Sequence, residues 1–169
     1  MFRSLLSLVV LLLVLLPVGA RASDSLYDRT TAKKLDPDQI SLFGPQSSRF
    51  RYDSRMLRAA EIAQARARGH SISRCWRYVK TALLASKTID SYPKTATAKE
   101  AGSELQRSYG FKKLNVKDPY KAPLGSVIVY GGRGAGHVEI RTAQGFVSDF
   151  NSPKPSHRPL IGVYVKPRT

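Results

Sequence analysis

The hydrophobic period of this chain changes at Gly110, and that change limits the folds open to it. Before Gly110 the apolar residues recur every three or four positions, as on one face of a helix. Helix character starts near Asp53 or Ser54, either a suitable N-cap. It runs through Leu57, Ala60, Ala63 or Gln64, and Ala67, and stops at Gly69. Ser73 then serves as the expected N-cap of a second helix, from about Arg74 to Ser86, with Cys75, Val79 and Ala82 on its inner stripe. A third helix is expected from roughly Ala96 to Tyr109, closed by Gly110, with Phe111 folding back. Beyond that point come short β-branched and aromatic runs: Val127 to Tyr130, Val138 to Arg141, Phe146 to Phe150 and Ile161 to Val165. Helices followed by strands predict an α+β domain with N-terminal helices packed on a small antiparallel sheet.

The first 22 residues read as a secretory leader. Arg3 precedes an apolar run from Leu5 to Leu16, and Ala20-Arg21-Ala22 supplies small residues at the expected cleavage point. That run is shorter than the ~20 residues of a typical membrane span. A secreted protein, periplasmic or extracellular, without a stable membrane anchor is therefore expected. Residues 23–50 are polar, contain Pro37, Gly44 and Pro45, and read as an arm or linker; residues 51–169 form the expected domain. Removing residues 1–22, which hold Arg3, Arg21 and no acid, leaves 147 residues and a formal charge of +14. A charge of that size favours anionic surfaces such as bacterial wall polymer through a long-range field. It says nothing about fold, and no specific nucleic-acid motif accompanies it. A monomer is expected.

Cys75 is the chain's single cysteine, so an intramolecular disulfide is excluded. Placed at a helix start between Arg74 and Arg77, the thiol meets the conditions that make sulfur nucleophilic. His137 follows the glycine-rich run Gly131 to Gly136 and opens a strand, sharing a face with Glu139 and Arg141. If the next hairpin centres on Ala143, His137 lies opposite Asp149, with Cβ atoms ~5 Å apart. A bulged loop at Gly145 brings Asn151 there instead. Asp149 is the expected positioner of the ring and Asn151 the alternative. Cysteine, histidine and a polar positioner are the parts of a thiol acyl-transfer site. Glu139 is read as a rim charge or substrate contact, His70 as a turn residue and His157 as part of a solvated tail. One cysteine and three scattered histidines offer no metal-ligand pair at coordinating spacing, so neither a metal nor a cofactor is expected.

Four segments resemble one family. Cys75 to Leu83 is similar to the nucleophile helix of the CHAP and NlpC-type cysteine hydrolases, a papain-like superfamily acting on bacterial cell walls. Ala122 to Tyr130 resembles the Pro-Gly-Asp segment that opens their central sheet, with Ser126 in place of the aspartate. Gly136 to Ile140 resembles their histidine strand, and Asp149 falls at their third site position. Asp149-Phe150-Asn151 is similar to the acidic-x-Asn pattern of the CHAP branch. The NlpC branch usually carries Asp before and Ser after its nucleophile, where this chain has Arg74 and Trp76. The resemblance spans about residues 55 to 165. It implies a papain-like fold and hydrolysis of an amide in peptidoglycan through Cys75, His137 and Asp149. That amide would join residues of a stem peptide or link the peptide to the glycan. Two other roles fit the same sequence: a basic module that binds wall or nucleic acid without turnover, and a toxin aimed at another cell's wall.

Overall fold

The computed structural model describes residues 27–28, 33–34 and 52–168. The expected leader and most of the expected arm lie outside the described residues. Two short strands, β1 (Tyr27–Asp28) and β2 (Lys33–Lys34), pair antiparallel within the arm. The rest comprises α1 (Arg55–Arg66), α2 (Cys75–Ala85), α3 (Ala101–Tyr109) and six strands. These are β3 (Lys112–Leu114), β4 (Val127–Tyr130), β5 (His137–Thr142), β6 (Gly145–Val147), β7 (Asn151–Ser152) and β8 (Leu160–Val165). They form one antiparallel sheet in the order β3-β8-β4-β5-β6-β7. The α+β architecture read from the change of period is the one observed. Among the described residues no helix is long and apolar enough to cross a membrane.

Alternation along the strands divides the apolar residues between two faces. Val127 and Val129 of β4 and Val138 and Ile140 of β5 join Met56, Ala59, Val79 and Leu83 of α1 and α2 in the main core. Each of the valine, leucine, isoleucine and methionine side chains among them contributes ~1.5–3 kcal/mol on burial. Ile128 and Tyr130 point the other way and pack with Phe146 and Val163 in a smaller cluster. The long helices thus lie on the β5 side of the sheet, with the N-terminus of α2 arriving at the first residue of β5.

Two expectations about local structure needed revision. Gly110 does end α3, at φ +71°, and the Phe111 N–H returns to the Leu105 carbonyl at 3.1 Å. The start of that segment, however, is a separate 3-10 turn, Ala98–Glu100, capped by Thr97. The N-cap of α2 is Arg74 rather than Ser73, which makes Cys75 the first helical residue. Ser73 instead takes a left-handed φ of +60°, a conformation that costs a non-glycine residue roughly 1–3 kcal/mol and persists only where its surroundings impose it.

Candidate active site

Cys75 and His137 line one cleft of ≈ 770 Å³, together with Ser71, Ser73, the glycine loop 133–136 and the segment 152–158. The thiol is partly exposed. It stands at the N-terminal tip of α2, where the first backbone N–H groups have no acceptor within the helix. The imidazole shares this cleft with the thiol and interacts with it electrostatically. Burial alone would push the His137 pKa down, yet the hydrogen bonds with Cys75 and Glu139 and the charges of both outweigh it and carry it up to about 9. The two residues singled out from sequence therefore meet in space.

Asp149 does not lie opposite the ring. The β5–β6 hairpin pairs Thr142 with Gly145 and Arg141 with Phe146, leaving a two-residue turn at Ala143-Gln144. Continued, that register would bring Phe150 opposite His137. Asp149 instead points to the loop before α2. Its Oδ2 accepts from the Ile72 N–H at 2.7 Å, the Arg74 N–H at 3.0 Å and the Ser71 hydroxyl at 3.3 Å; Oδ1 accepts from the Ser148 hydroxyl at 3.1 Å. Burial pushes this carboxyl up, but the Arg74 and Ile72 N–H groups hold it below the usual carboxylate range. Asp149 thus clamps the residues on both sides of Ser73, which explains how the left-handed turn is maintained beside the thiol. Asn151 is exposed in β7 and opposes Val147; it does not line the cleft.

Glu139 is the acid against the ring. Its Oε2 lies 3.4 Å from His137 Nε2, and its Oε1 accepts from the Tyr130 hydroxyl at 2.5 Å and from the Ser156 N–H at 3.4 Å. At 3 % exposure it is not a rim residue. Burial and this carboxylate push the Tyr130 hydroxyl well above its usual range, so it remains a donor. The sequence signal was available in the i, i+2 spacing that put Glu139 on the face of His137. Alternation gives the face of a side chain and not its depth.

A single segment braces both halves of the site. Lys80, only 7 % exposed, donates to the Pro93 and Thr95 carbonyls at 2.8 and 2.6 Å and lies over the rings of Trp76 and Tyr92. Burial pulls the Lys80 ammonium down, and the Glu104 charge opposes that pull. Trp76 Nε1 also donates to the Thr95 carbonyl, at 3.2 Å. Glu104 accepts from the Thr95 N–H at 3.0 Å and from the Lys94 N–H at 2.5 Å. Farther along, the Lys99 N–H donates to the Ala135 carbonyl at 3.0 Å, one residue before Gly136. Gly136 has φ +76°, and a Cβ there would stand 2.5 Å from the Tyr130 carbonyl oxygen. Only glycine allows the loop to approach so closely just ahead of His137.

Among the described residues, no group of three or more His, Cys, Asp or Glu could hold a metal ion. Arg141, on the same face as Glu139, directs its guanidinium to the Thr142 and Gly145 carbonyls and over the Phe146 ring.

The helices and the six-stranded antiparallel sheet make a papain-like α+β fold. No known protein-family profile and no curated protein matches the sequence. Among solved structures, the chain is similar to one described as the type VI native effector-immunity complex Tae3-Tai3 from Ralstonia pickettii. The identity is 25 % and the TM-score 0.53, over 66 % of this chain and 97 % of that one. A selenomethionine form of the same complex matches at 26 % identity and TM-score 0.48, over 64 % and 97 %.

Proposed function

We propose that this protein is a secreted thiol hydrolase that cleaves an amide bond in peptidoglycan. The single observation that carries the reading is Cys75 at the tip of α2, in one cleft with an imidazole that is backed by Glu139. The resemblance of residues 75–83 and 136–140 to CHAP and NlpC-type hydrolases suggests the substrate class. The similarity to an effector crystallised with its immunity protein is compatible with it.

In the proposed reaction the sulfur of Cys75 attacks the amide carbonyl. Nε2 of His137 faces Glu139, which leaves Nδ1 for the sulfur and the leaving amine. The developing oxyanion meets unpaired N–H groups of the first turn of α2, including that of Cys75 itself. The imidazolium protonates the amine as the C–N bond breaks. Water, deprotonated by the neutral imidazole, then hydrolyses the thioester. Glu139 takes the positioning role for the ring, and Asp149 positions the nucleophile by holding the turn that precedes it. The leader remains part of this reading, because it delivers the enzyme to the compartment where peptidoglycan lies.

The decisive comparison is the digestion of purified sacculi by wild type and by Cys75→Ala. Soluble fragments from wild type alone support the reading, and their masses identify the cleaved bond. Equal release by both proteins removes the thiol mechanism, and equal binding without release supports a non-catalytic wall module. A second reading concerns the target: the effector-immunity match favours use against a foreign wall, with a dedicated inhibitor in the producing cell. Neutralisation of the activity by a protein encoded beside this chain would support that role.

A further inference from the structure

The charge inside the cleft is one-sided. Arg133, Lys154 and Arg158 line it, alongside His137. Its acid is Glu139, buried and committed to His137, Tyr130 and Ser156. No exposed acid among the lining residues offsets the three permanent cations. The whole chain is basic, so cations anywhere on its surface are unremarkable; the placement of Arg158 is what differs.

Arg158 is tied to both the catalytic strand and the opposite wall. Its backbone N–H donates to the Ser156 hydroxyl at 3.4 Å, and the Ser156 N–H reaches Glu139, the acid beside the imidazole. One guanidinium nitrogen, Nη1, donates to the Arg133 carbonyl at 2.8 Å, across to the glycine loop. Arg158 therefore spans from the segment 152–158 to the loop that leads into His137. Its remaining N–H donors stay free for a ligand, and a planar guanidinium suits a carboxylate, which it can take in a two-pronged contact. Phe150, Pro153 and Pro155 add apolar surface to the same cleft.

We infer that Arg158, supported by Arg133 and Lys154, forms an anion subsite that selects substrates with a free carboxylate close to the scissile amide. The inference rests on the amide-hydrolase reading, which makes a carboxylate the anion a peptide would present. It adds a requirement that this reading does not contain.

The test uses two soluble stem-peptide dimers, identical except that one keeps its carboxylates free and the other carries them as primary amides. Wild type should favour the free-acid dimer by roughly 10-fold in kcat/KM, mainly through KM, the scale of one solvent-screened charge-assisted contact. Arg158→Gln should bring that ratio near unity. Lys117→Gln removes the same charge from an exposed site outside the cleft and should keep the wild-type ratio. Equal use of both dimers by wild type overturns the subsite, as does loss of the preference in Lys117→Gln. If wild type hydrolyses neither dimer, the hydrolase reading fails on its own account, and calorimetric titration of both into Cys75→Ala decides the subsite. Tighter binding of the free acid supports it, and equal affinity overturns it.

Discussion

Replacing Glu139 by Gln keeps the shape of the side chain and removes its charge, so it asks directly which acid governs the imidazole. The carboxylate oxygen lies 3.4 Å from His137 Nε2. At an effective dielectric constant near 20, a full charge pair at that distance is worth about 5 kcal/mol, or between three and four pKa units. That is a ceiling. The interaction with Cys75 also raises the imidazole, and a glutamine oxygen still accepts hydrogen bonds. We expect the His137 pKa to fall from about 9 by roughly one to two units, and kcat/KM to drop by about 100-fold. Proton NMR titration reads this cleanly, because the chain has three histidines and His70 and His157 serve as internal references. An unmoved His137 in Glu139→Gln, with a displaced one in Asp149→Asn, would refute the assignment and return the positioning role to Asp149.

Asp149→Asn should leave the His137 titration unchanged but lower both Tm and kcat. Weakening the charged acceptor for Ile72, Arg74 and Ser71 costs about 1–2 kcal/mol, a fall of roughly 5–10 °C in a thermal melt. Gly136→Ala forces a Cβ to 2.5 Å from the Tyr130 carbonyl at a positive φ. It should destabilise the domain by more than about 1 kcal/mol and displace His137, read as a lower Tm and a lower kcat together. The folded His137 pKa, raised to about 9, also fixes two pH dependences. The stability contributed by the protonated ring is fully present below the unfolded value of about 6.5 and is lost as pH rises through about 9. Wild-type Tm should therefore decline more steeply than that of Glu139→Gln across this interval. Turnover should fall on the alkaline side as the imidazolium that protonates the leaving amine disappears; a rate still rising above pH 10 would contradict that role.

The parts of the fold legible in the sequence were those set by local chemistry. Gly110 ends α3 because glycine alone enters the left-handed region without strain, and Phe111 packs back as expected. The strands β4 and β8 are dense in β-branched residues and fell where their composition put them. The edge strand β3, Lys112–Leu114, is short and charged, so no periodicity announced it. The start of α2 was displaced by one residue because its clamp comes from Asp149, 74 residues beyond Cys75, and not from a local cap. Lys80 sits among the apolar residues of α2, and its compensating carbonyls lie on Pro93 and Thr95, partners that helical spacing does not reveal.

The candidate site divides in the same way. Cys75 and His137 were readable because a thiol at a helix start and a histidine after a glycine loop are local patterns. The acid that lies beside the ring was not, since it depended on hairpin register. A two-residue turn at Ala143-Gln144 instead of a three-residue one moves Asp149 out of alignment with His137. Once it moves, Glu139, two residues along the same strand, is the carboxylate left beside the ring.

The most direct test of the account is acid-quenched mass spectrometry of the intact protein during turnover of a stem-peptide dimer. We predict a transient acyl adduct on Cys75 that disappears as product accumulates and never forms in Cys75→Ala. Product formation by wild type with the thiol unmodified throughout, and at the same rate in Cys75→Ala, would contradict the proposed mechanism.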